Sequence, residues 1–381
     1  MSAVEWELNK DTHEDPDEQR VLLAALSSFY QYSRVAHYNT THIRRQSFYA
    51  LPRAHIELLA APPISYLETL NAVDDAIDSN AELSLAILKS GLDSFGVRSH
   101  STDSDITEQW HGKALSHDLE KARSTLRQFF RDWSSEGSAE REACYGRVIT
   151  ALQKEQQARS VTKLRVLVPG AGLGRLVFDL CCAGFDTEGN EISYHQLIAS
   201  SYILNSCAKA QAHTLFPWVH SFSNHKSRSN HLKSVQIPDI HPGTVLSQVE
   251  EPGAMSMSAS DFILLYGDEE QKDTFDAVAT VFFLDTAPNV IRYIETIKNC
   301  LRQGGILVNF GPLLWHFENN VPRIADPGAV ELTDNEVVAI VEKLGFNVEY
   351  RESGTFAPYI QDIESMLENT YKASFWVARK L

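Results

Sequence analysis

The feature that most constrains this chain is the run Val166-Leu-Val-Pro-Gly-Ala-Gly-Leu-Gly-Arg175. A short apolar strand runs into Gly170, Gly172 and Gly174, and a helical pattern follows. Glycines there let the backbone turn tightly and approach a ligand closely. The start of the helix behind them adds a positive dipole end. A strand, glycine turn and helix of this kind belong to an α/β sheet, and the remainder of the chain agrees. From residue 164 onward short apolar strands alternate with helical patterns, as in a doubly wound sheet. Strands are expected at 164–168, 185–189 (leading to Glu191), 275–284, 306–310, 347–351 and 374–379. Helices are expected at 176–183, 193–207, 290–301 and 333–344. Thr333 and Glu336 form a capping box for the last helix, and Gly345 stands where it should stop. Gly304-Gly305 reads as a turn.

The first 160 or so residues read as helical. Residues 21–30 carry apolar side chains at helical spacing behind an acidic stretch, 14–18. Residues 55–92 give two more helical patterns broken at Pro62-Pro63. Residues 96–107 are polar, Ser-rich and unpatterned, and read as a loop. The strongest helix is 117–133, with Leu119, Ala122, Leu126, Phe129, Phe130 and Trp133 on one stripe. Gln128 and Arg131 lie three apart beside that stripe, and by pattern alone read as its solvated edge. The division expected is a helical N-terminal region, 1–160, and a ligand-binding domain, 161–381, with a long insertion at about 216–260 that is functional or mobile.

Composition narrows the function. Thirty-four Lys and Arg against fifty Asp and Glu give a net charge of −16, which argues against a nucleic-acid binder. No apolar run approaches the roughly 18–20 residues that span a bilayer, and the first residues lack the basic and apolar regions of a secretory signal. The five cysteines, Cys144, Cys181, Cys182, Cys207 and Cys300, are scattered and include no C-x-x-C pair, so neither disulfides nor a metal is expected. Reduced thiols suit the cytoplasm, with the nucleus also open. The N-terminal helices could pair between chains as a homodimer.

The glycine spacing is G-x-G-x-G. In the dinucleotide fingerprint G-x-G-x-x-G the last glycine would fall at residue 175, which is Arg; a nicotinamide dehydrogenase is therefore disfavoured. The spacing is similar to the first motif of class I S-adenosylmethionine (SAM)-dependent methyltransferases. Glu191, about twenty residues on, can accept hydrogen bonds from both ribose hydroxyls of a nucleotide-like ligand. Asp261-Phe262 follows a third short segment, where that class places a carboxylate and a ring against adenine. The closing hairpin is similar to the methyltransferase variant of the fold.

Chemistry in such a sheet belongs at the carboxyl ends of the strands. Strand 275–284 ends at Asp285 and strand 306–310 runs out toward His316, so the two could face one crevice. Methyl transfer from a sulfonium needs a neutral nucleophile held about 3 Å from the methyl with its lone pair aimed. A carboxylate and a histidine suit holding an imidazole or amine by its N–H. Asp285 could instead cap the helix that begins at Val290, and His316 could be structural.

Several longer blocks are more specific: FFRDWSSEGSAEREACY (129–145), VLVPGAGLGRL, GNEIS, FPWVHSFSN, DTAPNVIRYIETI and GPLLWHFEN. Together they resemble the carnosine N-methyltransferase family, from roughly residue 29 to the C-terminus. The resemblance implies transfer of a methyl group from SAM to the imidazole of a small histidine-containing dipeptide, carnosine giving anserine. It implies that Gln128 and Arg131 reach the cofactor, Arg131 toward the methionyl carboxylate. Gly170, Gly172 and Gly174 with Glu191 would form the loop and ribose positions, and Asp261 and Phe262 the adenine positions. Val281, where the family often has Cys, would be a further cofactor contact. Asp285, His316 and Tyr371 would grip the imidazole, with Tyr359 and Phe282 beside them. Asn369 stands where the family often has another Tyr. The competing readings are a methyltransferase acting on histidine within a peptide or protein, and a non-catalytic SAM-binding interaction protein.

Overall fold

A computed structural model describes residues 5–7, 16–95, 110–319 and 328–381. The loop expected at 96–107 and residues 14 and 15 of the acidic stretch lie outside the described residues.

A short strand, β1 (Glu5–Glu7), precedes four helices: α1 (Pro16–His37), α2 (Ile43–Tyr49), α3 (Arg53–Ala60) and α4 (Tyr66–Ser94). Pro16 opens α1, with Asp17 and Glu18 in its first turn and Arg34 and His37 in its last, matching both ends of the helix dipole. α5 (Ser116–Trp133), α6 (Ser138–Arg141) and α7 (Arg147–Arg159) follow. On α5 the predicted stripe is buried at Ala122, Leu126, Phe129, Phe130 and Trp133. These side chains share one core with Leu26 and Phe29 of α1 and with Leu173, Phe178, Leu197 and Ile198 beyond the glycine loop. The helical half is therefore packed directly on the elements behind that loop.

The α/β part runs β2 (Arg165–Pro169), α8 (Arg175–Cys182), β3 (Asp186–Glu191), α9 (Tyr194–Ser201), β4 (His213–Leu215), α10 (Arg228–His231), β5 (Val235–Ile237), α11 (Pro242–Gln248), β6 (Met255–Ala259) and α12 (Phe262–Tyr266). It continues through β7 (Phe275–Val281), α13 (Val290–Cys300), β8 (Leu301–Gly311), α14 (Asp334–Lys343), β9 (Phe346–Pro358) and β10 (Thr370–Lys380). Eight strands form one sheet in the order β1-β6-β3-β2-β7-β8-β10-β9. β10 pairs antiparallel with both its neighbours, and the other pairings are parallel. This is the expected doubly wound sheet with its C-terminal antiparallel hairpin. The strand order reverses between β2 and β7, so the ligand crevice of such a sheet lies at their carboxyl ends.

Three expectations need correction. Gly304-Gly305 is not a turn between helix and strand. It is an irregularity inside β8, where Leu301 already pairs with Phe275 and the register shifts before Ala277 pairs with Ile306. The last two strands are longer than their apolar patterns, because β9 and β10 pair along almost their whole length and polar residues occupy their exposed stretches. The segment 216–260 is not a structureless loop. It contributes β5, paired with β4 as a two-stranded ribbon, then α10, α11 and the sheet strand β6. Strands of three residues are too short to carry a readable alternation. Among the described residues no helix is long and apolar enough to cross a membrane.

Candidate functional site

The site grows from the turn after β2. Gly170 has φ +66° and Gly172 φ +57°, conformations that side chains with a Cβ rarely adopt. A Cβ on Gly170 would lie 2.7 Å from the Phe283 ring, so that backbone passes too close for any other residue. Around Gly172 the nearest atom to such a Cβ is the Gln196 amide nitrogen at 3.9 Å. Gly174 is the N-cap of α8. Glu191, at the end of β3, is buried, and its Oε2 accepts the Gly172 N–H at 2.9 Å. Its Oε1 accepts the N–H groups of Ile192 and Ser193, both at 2.9 Å. Burial pushes this carboxyl above the usual carboxylate range, and the three amides pull it back. Oε1 is saturated by two amides, whereas Oε2 keeps a lone pair for a ligand hydroxyl.

The end of α5 closes over this loop. The Trp133 indole donates to the Leu173 carbonyl at 3.0 Å. Gln128 accepts from Gln196 at 3.0 Å, which sets it beside Gly172. Arg131 is 13% exposed and is not a solvated edge. Its Nε donates to Asp132 at 2.8 Å, and its guanidinium lies 4.8 Å from the Tyr359 ring centroid and 5.9 Å from that of Phe282. Asp132 also accepts the Tyr145 hydroxyl at 3.0 Å. Arg131 therefore stands between Asp132 and the rings of Tyr359 and Phe282.

On the far side of the loop, Asp261 caps α12, its Oδ1 accepting the N–H groups of Ile263 and Leu264 at 2.8 and 3.0 Å. Its Oδ2 takes no part in the cap. Phe262 is buried edge-on to Phe283 and Tyr293, at 5.3 Å from each. Phe283 stacks on Tyr293 at 4.8 Å. Burial raises the Tyr293 phenol, the Thr286 side chain opposes the rise, and the carboxylates of Asp261 and Glu191 add to it. Sequence reasoning missed Phe283, Tyr293 and Gln196. Phe283 follows the candidate Phe282 directly, which is the only local hint.

A second cluster of candidate residues lies at the ends of β7 and β8. Val281 closes β7 opposite Phe310. Phe282 has φ +53° while its N–H still donates to the Phe310 carbonyl at 2.9 Å. A bulky residue in that region is held there by its surroundings, as is common at functional sites. Its ring lies 5.0 Å from Tyr359 and 6.1 Å from Tyr371, and the two tyrosines are 6.1 Å apart. Asp285 is 4% exposed. Its Oδ2 accepts the Leu314 N–H at 2.8 Å, and its carbonyl accepts the His316 N–H at 3.1 Å. Asp285 does not cap α13; Asn289 does, accepting the Ile291 N–H at 3.1 Å. Burial pushes the Asp285 carboxyl up, against the Leu314 amide and His316, which lower it. Burial also raises the Tyr371 phenol, helped by Tyr359 and by Asp285. The His316 side chain is exposed at the rim. Asn369 lies behind the rings, donating its amide to the Tyr359 carbonyl at 2.6 Å.

These residues fit SAM. The glycine turn leaves open space at Gly172, Glu191 keeps an acceptor, Asp261 keeps an oxygen, and Arg131 offers a cation. Among the described residues no group of three or more His, Cys, Asp or Glu side chains converges to hold a metal ion. A separate groove of about 990 Å³ lies between α7 and the strands β8 to β10, away from this crevice.

A sequence model of the carnosine N-methyltransferase family matches residues 108–381. The carnosine N-methyltransferase of Schizosaccharomyces pombe is 37% identical, over 96% of this chain and 97% of its own length. That of Rattus norvegicus is 34% identical, over 97% of this chain and 89% of its own. Among solved structures, a SAM-dependent methyltransferase from Methanosarcina mazei covers 58% of this chain and 94% of its own, with a TM-score of 0.35 and 16% identity. A glycine turn with buried Glu191 beside it and an aromatic cluster next to Asp285 occur in a chain that these relatives match nearly end to end, and it belongs to the carnosine N-methyltransferase family.

Proposed function

We propose that this protein transfers a methyl group from SAM to an imidazole nitrogen of carnosine (β-alanyl-histidine) or a closely related histidine dipeptide, carnosine giving anserine. The observation that carries this reading is the cluster of the Phe282, Tyr359 and Tyr371 rings at the carboxyl ends of the central strands, with buried Asp285 just beyond Phe282 on the same turn.

SAM, when bound, supplies an electrophilic methyl on a sulfonium. Gln128, Arg131, the three loop glycines, Glu191, Asp261, Phe262 and Val281 would hold it. Asp285 accepts the imidazole N–H, fixing the tautomer so that the other nitrogen presents its lone pair. Tyr371, Tyr359 and Phe282 enclose the ring and His316 covers the rim, which excludes water. A free imidazole has a pKa of about 6.5, so much of it is neutral at pH 7 and no strong base is required. The nitrogen lone pair would form the new N–CH3 bond as the S–CH3 bond breaks, that electron pair staying on the departing thioether sulfur, and the ring becomes cationic. The Asp285 carboxylate then faces that charge across the retained N–H, and the proton leaves to solvent with the product.

The test is mass spectrometry of carnosine incubated with purified protein and SAM, with fragmentation to place the added methyl. A single methyl on the imidazole, lost in Asp285→Ala, is the expected result. SAM binding by calorimetry without carnosine methylation would move the substrate to a histidine within a peptide, and no SAM binding would overturn the enzyme reading. The N-terminal half has a second proposed role. Leu51, Leu58 and Ile64 are exposed around α3, none of whose own residues is buried, and this supports a homodimer through these helices. Light scattering of the purified protein distinguishes monomer from dimer.

A further inference from the structure

Glu140 lies in α6, just beyond the end of α5, and is 6% exposed. Its partners are more than two hundred residues away. Oε2 accepts the N–H of Ile360 at 2.8 Å, and Oε1 accepts the N–H of Gln361 at 2.7 Å. A carboxylate suits this task, since it presents two acceptor oxygens and no donor. Ile360 sits at φ +48°, a region that β-branched residues rarely occupy unless the surroundings hold them there. Tyr359 precedes it directly. The Tyr359 N–H donates to the Asn369 carbonyl at 3.1 Å, and its own carbonyl receives the Asn369 side chain at 2.6 Å. The backbone under the Tyr359 ring is thus held from the hairpin by Asn369 and from the helical half by Glu140.

We propose that Glu140 is a positioning residue: by clamping the 360–361 corner it sets the Tyr359 wall of the substrate pocket. The inference rests on the carnosine reading given above. It gives the helical half a part in substrate fit as well as in cofactor binding. Without the clamp the corner relaxes out of its left-handed turn and the ring leaves its place against Phe282 and Arg131. The glycine loop and Glu191 are untouched by that movement.

The test measures carnosine KM and kcat at saturating SAM, SAM affinity by calorimetry, and amide exchange across 357–361. Glu140→Gln keeps the size but turns an amide donor toward one of the two N–H groups. It should raise carnosine KM about tenfold or more, with kcat and SAM affinity each within about threefold of wild type and faster exchange at Ile360 and Gln361. Asn369→Ala, which loosens the same ring from the other side, should give the same KM signature. In a Tyr359→Ala background Glu140→Gln should add nothing to KM. An unchanged KM, a KM effect that persists in full without Tyr359, or an equal loss of SAM affinity would each overturn the positioning role. A wild-type protein that does not methylate carnosine would instead overturn the substrate reading, and this inference with it.

Discussion

Arg175 donates to Asp239 at 2.7 Å, and the other oxygen of Asp239 takes Arg141 at 2.8 Å. The residue that breaks the dinucleotide fingerprint is thereby a structural hub. Arg175 also donates to the Asp132 carbonyl at 2.9 Å, and its guanidinium lies 4.9 Å from the Trp133 ring centroid. Arg141 reaches the carbonyls of Arg131 and Ser134. One aspartate from the 216–260 segment therefore joins the helix behind the glycine loop to the end of the helix that carries Gln128 and Arg131.

These charges are almost dry: 8% exposed for Arg175, 11% for Asp239 and 7% for Arg141. Removing Asp239 leaves Arg141 without its carboxylate partner, at about 3–5 kcal/mol, whereas Arg175 keeps Asp179 at 2.9 Å. Asp239→Ala should cost a loss of that order in urea unfolding, with weaker SAM binding as the end of α5 loosens. A loss below about 1 kcal/mol would mean that solvent reaches the network and screens it.

The glycine turn permits a paired test. Gly170→Ala must place a Cβ 2.7 Å from Phe283, and Gly172→Ala meets nothing closer than 3.9 Å. Both carry the left-handed backbone cost of about 1–2 kcal/mol. Gly170→Ala should therefore lose more stability, by about 1–3 kcal/mol from overpacking. Gly172→Ala should stay folded and lose SAM affinity, because its methyl enters the ligand space. Thermal unfolding beside calorimetry separates the two, and equal losses in both variants would contradict this geometry.

Much of this was legible in the sequence because it is local. The alternation of strands and helices after residue 164 carries its own period, and the strand, glycine turn and helix signal their use directly. Asp285 and His316 followed from their places at strand ends. Gln128 and Arg131 did not: their pattern reads as a solvated edge, and only the family resemblance pointed to the site. Asp239, Glu140 and Asn369 have no local signature, because each acts on backbone or charge brought near by the fold. The three-residue strands β4 and β5 escaped for want of length, and the glycine pair inside β8 passed for a turn because a bulge and a turn use the same residue type.

Buried and half-buried histidines make the fold less stable in acid; His220 is depressed to about 3 and His213 is lowered as well, and His195 and His231 titrate in the range that can be tested. His195 is 2% exposed and His231 fully buried. Burial depresses each to about 4, with Lys121 acting further on His195. A histidine whose folded pKa is lowered contributes stability that is present above its unfolded value, about 6.5. That contribution is lost as pH falls toward the folded value. Each should add a slope of up to about 1.4 kcal/mol per pH unit between pH 6.5 and 4. Urea unfolding at pH 7, 6 and 5 should show stability falling with pH, and less steeply in His195→Phe. A flat profile over that range would mean that these buried rings do not lose stability by charging, and would contradict the depressed values.

Asp285 gives the sharpest test of the chemistry. Its Oδ2 holds the Leu314 N–H at 2.8 Å and so anchors the segment that carries His316. Asn at this position can keep that bond through its amide oxygen, so the loop should stay in place. The NH2 group would then face the imidazole as a donor. That favours the opposite tautomer and removes the negative charge that faces the ring as it becomes cationic. Losing one preorganised electrostatic partner of this kind typically costs a factor of about 10²–10³ in kcat. Asp285→Asn should show that loss in initial rates of anserine formation, with SAM affinity within about twofold of wild type. Wild-type kcat/KM should rise with pH through about 6.5, as the substrate imidazole loses its proton. An Asp285→Asn enzyme with full kcat would show that the carboxylate neither selects the tautomer nor stabilises the charge, and would leave Tyr371 and His316 to orient the ring.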